Sequence, residues 1–102
     1  MILPEPVLFE WDRGNDQKNE KKHSVSLKEA EETFFNEPRY IFLDEKHSSY
    51  EKRYGMYGKT NTDRFLSLVY TIRHDVVRVI TIRPMSRKER NAYEKIKTDT
   101  EV

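Results

Sequence analysis

The spacing of apolar residues predicts a series of short strands along the chain. Val7–Trp11 and Tyr40–Leu43 are brief apolar runs of strand length. Arg53–Tyr57, Arg64–Arg73 and Val76–Arg83 follow as further strands. In the longest of them, apolar and polar residues alternate, as expected for a strand with one buried face.

Helix signals stand between and after these strands. Ser26 and Ser86 are each followed three residues later by a glutamate, which is the spacing of a capping box at a helix start. The first of these helices has an apolar stripe at Leu27, Ala30 and Phe34 and is expected to stop before Pro38. A weaker helix over Arg13–His23, capped by Asp12, has almost no apolar face.

This order of elements predicts an α+β domain. We expect a mainly antiparallel sheet of four to five strands, packed with two N-terminal helices and one C-terminal helix. With 102 residues the chain has the size of one domain, and residues 1–6 and 98–102 are expected to fray.

The pairing of the last two strands across the turn His74–Asp75 stays open, because a slip of one residue exchanges their faces. The favoured arrangement places polar side chains on one face, namely Thr71, Arg73, Thr81 and Arg83. It leaves the other face for the core, namely Leu66, Leu68, Ile80 and Ile82.

Composition narrows the functional classes. Without cysteine the chain has no disulfide, thiolate metal site or cysteine nucleophile. No run approaches the roughly 20 apolar residues of a membrane span, and the N-terminus lacks the basic region of a signal peptide. We therefore expect a cytoplasmic protein with no membrane partner.

Positive charge is concentrated near the C-terminus although the net charge is only +1. Arg73 to Lys97 carries eight Lys or Arg and three Asp or Glu, and the rest of the chain is net negative. Such a local surface suggests phosphate contacts at one place.

Several segments together resemble the BrnT family of type II toxin–antitoxin toxins. They are Phe9-Glu10-Trp11-Asp12, Asn19 with Lys22-His23 and Val25-Ser26, Glu51-x-Arg53-Tyr54 with Gly58, Val69-Tyr70-Thr71-x-Arg73, Arg78-x-Ile80-Thr81-x-Arg83, and Glu89-Arg90-x-x-Tyr93. The resemblance covers nearly the whole chain, and it rests on the order and spacing of the segments.

The resemblance implies a RelE-like ribonuclease fold, cleavage of RNA and arrest of translation. It also implies neutralisation by a BrnA-type antitoxin with a ribbon-helix-helix part, through which the complex would bind operator DNA.

Metal-free RNA cleavage needs a base, an acid and cations around the phosphorane. Arg53, Arg73 and Arg83 are the first candidates for the cations, because arginine stays charged and binds phosphate with two hydrogen bonds. His23 and Glu51 are candidates for base or acid. The alternatives are a solvated strand face with surface ion pairs, a helix-end histidine, and a Glu51–Arg53 pair.

Four further residues are candidates for RNA binding: Lys22, Arg78, Arg90 and Tyr93. Tyr93 would stack a base, or else pack in the core with its hydroxyl at the rim. No histidine spacing suggests a metal site, and no cofactor is expected. The alternative function is a non-catalytic, decayed toxin that binds antitoxin or RNA.

Overall fold

The computed structural model describes residues 3–4, 6–11, 25–47 and 50–101, without the side chains of residues 47 and 97–101. Its elements are β1 (Phe9–Glu10), α1 (Leu27–Thr33), β2 (Tyr40–Leu43), a 3-10 turn (Glu45–His47), β3 (Tyr54–Lys59), β4 (Phe65–Arg73), β5 (Val76–Pro84) and α2 (Arg87–Glu101). The helix predicted over Arg13–His23 lies outside the described residues. Within the described residues, the α+β fold has two α-helices.

The five strands form one sheet in the order β1-β5-β4-β3-β2. The three pairs among β2, β3, β4 and β5 are antiparallel. β1 instead pairs in parallel with β5, with Phe9 opposite Val77. The sheet is therefore mixed: three of its four strand pairs are antiparallel, within the mainly antiparallel sheet expected, and the pair at the β1 edge is parallel.

Both helix starts lie where the capping boxes predict them. The Ser26 hydroxyl accepts a hydrogen bond from the Glu29 N–H, and the Glu29 carboxylate accepts one from the Ser26 N–H, both at 3.1 Å. The predicted strand bounds also hold for β2, whereas β3 begins one residue later and continues through Gly58 and Lys59. Those two residues pair with β4, so the loop between β3 and β4 is shorter than the predicted strand bounds left it.

The main core lies between α1 and one face of the sheet, called here the α1 face. The Phe34 ring meets the Tyr70 ring edge-on at 5.2 Å. A Cβ added at Gly58 would lie 3.2 Å from the Cβ of Thr33, so the absence of a side chain there lets α1 approach the sheet closely. The core side chains from the strands are Met56, Leu66, Leu68, Tyr70, Val77, Val79 and Ile82.

A β-bulge in β5 decides which of its residues are buried. Val69 lies opposite Thr81 and Tyr70 lies opposite Val79, so Ile80 is an extra residue. The sequence predicted Ile80 in the core, but it is only half-buried there, while Val77 and Val79 are fully buried. The prediction was wrong because the extra residue exchanges the inward and outward positions of the β5 residues that precede it.

The second helix packs on the opposite face, at one end of the sheet. Tyr93 of α2 is fully buried and its ring lies 5.3 Å from the ring of Phe65. Its hydroxyl donates a hydrogen bond to the Pro38 carbonyl at 2.6 Å. Among the described residues, no helix is long and apolar enough to cross a membrane.

Candidate functional site

The face opposite α1 carries Arg73, Arg78 and Arg83 and is called here the arginine face. Arg83 lies opposite Ser67, and Arg78 lies opposite Thr71. Plain alternation along β5 would have placed Arg78 on the same side as Ile82, in the core. The bulge at Ile80 therefore brings Arg78 onto the face that carries the other two arginines.

A carboxylate and several guanidinium groups meet at the turn end of this face. Arg73 Nε donates to Glu51 Oε2 at 2.9 Å, and Arg73 Nη2 donates to Glu51 Oε1 at 3.0 Å. The exposed fraction of the side chain is 45% for Arg73 and 31% for Glu51. The pair thus differs from the Glu51–Arg53 pair considered in the sequence, and it remains accessible to a ligand.

The charges around Glu51 keep it ionised. The hydrogen bonds from Arg73 lower the pKa of Glu51, and the positive charges of Arg53 and Arg78 lower it further. The same interaction raises the pKa of Arg73, and the negative charge of Glu10 raises it further. We call this group of Glu51, Arg53, Arg73 and Arg78 the Glu51 cluster.

A second ion pair lies at the α2 end of the arginine face. Arg83 Nη2 donates to Glu89 Oε2 at 2.8 Å, while Arg83 Nη1 donates to Oε1. Ser67 Oγ donates to Glu89 Oε2 at 3.3 Å, and the Ser86 N–H donates to Oε1 at 2.8 Å. The hydrogen bonds from Arg83, which contribute most, and those from Ser86 lower the pKa of Glu89 to about 2.

Tyr57 of β3 continues this second group. It lies opposite Ser67, which lies opposite Arg83, so the three residues form one row across the sheet. Burial raises the pKa of the Tyr57 hydroxyl, and the charge of Glu89 raises it further. Glu89 therefore acts on both Arg83 and Tyr57.

The two groups lie at opposite ends of the arginine face. Arg73 lies six residues along β4 from Ser67, the partner of Arg83. At about 3.3 Å per residue, the two rows are roughly 20 Å apart. The sequence grouped Arg73 and Arg83 as phosphate contacts in one cleavage site. They do share one face of the sheet, as the favoured strand pairing predicted, but they occupy opposite ends of that face.

The remaining predicted residues have other environments. His23 and Lys22 lie outside the described residues. The Arg90 guanidinium lies over the Phe65 ring, 5.0 Å from its centre, in a cation–π contact. Burial raises the pKa of Tyr93 to about 12, and its ring has no accessible face for an RNA base. Tyr93 thus takes the core position that the sequence offered as the alternative to stacking a base.

Sequence reasoning missed two features of this face. Glu89 was recognised for its spacing from Ser86, yet its contact with Arg83 depends on where α2 packs. Tyr40, Phe42 and Tyr57 cluster beside the Arg83 row, and only the strand register brings them together. In the described parts of the chain, no group of three or more metal-ligating side chains occurs.

The comparisons with known proteins concern the family and the fold of the chain. Residues 11–89 match the family model described as the ribonuclease toxin BrnT of type II toxin–antitoxin systems. Among solved structures, the chain is similar to the ribonuclease toxin BrnT of Brucella abortus, with a TM-score of 0.61 and 19% identity. That match covers 79% of this chain and 99% of the Brucella chain, and it shows a shared fold. No curated protein matches the sequence.

Proposed function

Because the chain belongs to the BrnT family of ribonuclease toxins from type II toxin–antitoxin systems, we propose that it is an endoribonuclease that cleaves RNA without a metal ion and arrests translation in the cytoplasm. The Glu51 cluster carries this proposal. It combines an ionised carboxylate with guanidinium groups on one accessible sheet face. A proton acceptor beside cations is what cleavage at a phosphodiester requires.

In the proposed reaction, Glu51 accepts the proton of the ribose 2′-hydroxyl, and the 2′-oxygen attacks the neighbouring phosphorus. Arg73 and Arg78, with Arg53, balance the negative charge that develops on the phosphorane. The bond to the 5′-oxygen breaks as that oxygen takes a proton from an acid, a role we assign to His23. The products are a 2′,3′-cyclic phosphate and a free 5′-hydroxyl.

The ion pair between Glu51 and Arg73 makes proton transfer to Glu51 depend on RNA binding first. An arriving phosphate competes with Glu51 for the Arg73 guanidinium, since both ligands accept two parallel hydrogen bonds. Glu51 loses the interactions that depress its pKa, and it becomes a stronger base as the substrate binds. Substrate binding thereby activates the base.

Arg83 takes a different role from the one expected at the sequence level. Since its row lies roughly 20 Å from Arg73, we propose that it holds a second phosphate of the same RNA strand. Lys22 and Arg90 are proposed as further phosphate contacts. Replacing Arg83 by glutamine should then raise KM for RNA more than it lowers kcat.

RNA cleavage by the purified chain, freed of antitoxin and kept in EDTA, tests the proposal. The wild type should cleave single-stranded RNA, whereas Glu51→Gln and Arg73→Gln should lower kcat at least about a hundredfold. Lys28→Gln is the matched control, because it removes one charge from an exposed position on α1, on the other side of the sheet. It should cleave like the wild type.

Intact RNA after prolonged incubation with the folded wild type would instead support the non-catalytic binding module. Salt-dependent RNA binding without cleavage would accompany that result.

The proposed partner is a BrnA-type antitoxin with a ribbon-helix-helix part, through which alone the complex would contact operator DNA. Induced expression of the chain should stop growth, and coexpression of that antitoxin should restore it. Growth arrest by Glu51→Gln as strong as that by the wild type would contradict catalysis as the cause.

A further inference from the structure

Three aromatic rings lie together on the arginine face. Tyr40 is opposite Tyr57 across the β2–β3 pair, and Phe42 is opposite Gly55. Ring centres are 5.6 Å apart for Tyr40–Phe42, 6.2 Å for Tyr40–Tyr57 and 5.3 Å for Phe42–Tyr57. We call Tyr40, Phe42 and Tyr57 the aromatic trio.

The trio is separate from the main core. None of its members belongs to the cluster of core residues or to the partly buried side chains packed on it. Tyr40 keeps 43% of its exposure, and Phe42 and Tyr57 are half-buried. The rings therefore offer aromatic surface to solvent on the face that also carries the arginines.

The absence of a side chain at Gly55 lets the Phe42 ring pack directly on the backbone of the sheet. A Cβ at residue 55 would lie 2.3 Å from two atoms of the Phe42 ring. The ring thus occupies the space above Gly55 that any side chain would fill. Phe42 lies against the backbone and supports the two tyrosines beside it.

The trio is continuous with the Arg83 pair through Tyr57. Tyr57, Ser67 and Arg83 occupy one row on three adjacent strands, so Tyr57 and Arg83 are roughly 10 Å apart at the backbone. Glu89 interacts with both of them. A cation and a stacking surface in the same row match the two chemical parts of a nucleotide, its phosphate and its base.

We propose that the aromatic trio binds an unpaired RNA base by stacking, with Tyr40 as its most accessible ring, while Arg83 holds a phosphate of the same strand. This inference rests on the proposed function, for which it names single-stranded RNA as the substrate class. Bases in a duplex are already stacked on their neighbours, so the surface selects unpaired segments. Aromatic side chains on a sheet bind bases in this way in other RNA-binding folds.

The test measures binding of a short, fluorescently labelled 2′-O-methyl oligoadenylate, which lacks the 2′-hydroxyl nucleophile and is not cleaved. Tyr40→Leu keeps apolar volume but removes the ring, so it should weaken binding at least about tenfold. Tyr40→Phe keeps the ring and should bind within about twofold of the wild type. Tyr50→Leu is the matched control, because Tyr50 is fully exposed and lies outside the trio.

Two further readouts identify stacking as the cause. The loss in Tyr40→Leu should leave the salt dependence of binding unchanged, since no phosphate contact is removed. Arg83→Gln should instead reduce the slope of log K against log salt by about 0.7. An abasic oligonucleotide of the same length should bind Tyr40→Leu and wild type equally.

Equal affinity of Tyr40→Leu and wild type for the oligoadenylate would overturn the inference. An equal loss with the abasic strand would overturn it as well, and so would a Tyr40→Leu defect confined to antitoxin binding. Because the probe is not cleaved, these outcomes are independent of catalysis. Failure of the wild type to cleave ordinary RNA would reject the proposed function and leave the binding result to stand by itself.

Discussion

Arg83 of β5 and Glu89 of α2 form a two-point ion pair that joins the last helix to the sheet. The same Glu89 carboxylate accepts the Ser86 N–H of the capping box, and the Ser86 hydroxyl accepts the Glu89 N–H at 3.2 Å. One side chain therefore determines both where α2 begins and where it contacts the arginine face. The exposed fraction of the Glu89 side chain is only 15%.

Replacing Glu89 by glutamine should lower the free energy of unfolding at neutral pH by about 2 kcal/mol. The folded pKa of Glu89, about 2, lies below the ordinary value of 4.5. Its ionisation therefore stabilises the fold fully above about pH 4.5, and this stabilisation is lost as pH falls toward 2. Urea unfolding of wild type and Glu89→Gln at pH 7 and pH 3 should show the difference shrinking at the lower pH.

Lys88→Gln is a suitable control, because it alters a neighbouring exposed charge of α2 and should leave stability nearly unchanged. A Glu89→Gln defect of equal size at both pH values would contradict the electrostatic explanation.

Tyr93→Phe should destabilise the fold by about 1 kcal/mol without changing RNA cleavage. The substitution removes the hydroxyl that donates to the Pro38 carbonyl and leaves that acceptor without its partner. Urea unfolding and cleavage assays on the same sample measure both effects. Weaker RNA binding with unchanged stability would restore the role of RNA contact predicted for this residue.

Because of the bulge, substitutions at two neighbouring residues of β5 should lower the free energy of unfolding by different amounts. Val79→Thr places a hydroxyl in the core and should cost about 1–3 kcal/mol of unfolding free energy. Ile80→Thr changes a half-buried side chain outside the core and should cost less than about 1 kcal/mol. Denaturant midpoints of the two variants give the comparison, and a larger loss for Ile80→Thr would argue against the bulge.

The turn between β4 and β5 holds two non-glycine residues at positive φ, His74 at 52° and Asp75 at 63°. Such a two-residue hairpin turn favours the sequence Asn-Gly. The double variant His74→Asn/Asp75→Gly should raise the free energy of unfolding by about 1 kcal/mol and Tm by about 4–8 °C. Thermal unfolding checks this result.

Asp75→Val supplies the opposite case, since a β-branched residue is strained at positive φ. It should lower Tm, and an increase would show that the turn does not constrain this residue.

Local patterns predicted the elements of this fold because local interactions make them. The capping boxes at Ser26 and Ser86 need only residues three positions apart, and the alternation along β4 follows from strand geometry alone. The family segments likewise lie in the linear sequence, from which the ribonuclease toxin family was identified.

The sequence by itself determined the order of the elements, the capped helix starts and the arginines at Arg73 and Arg83. Tertiary structure decided that the sheet rows of these arginines lie roughly 20 Å apart along the backbone and that Glu51 pairs with Arg73. It also decided that the bulge at Ile80 turns Arg78 onto their face. The physical reason is that strand register and helix packing depend on contacts between distant residues, and one extra residue in a ladder exchanges its faces.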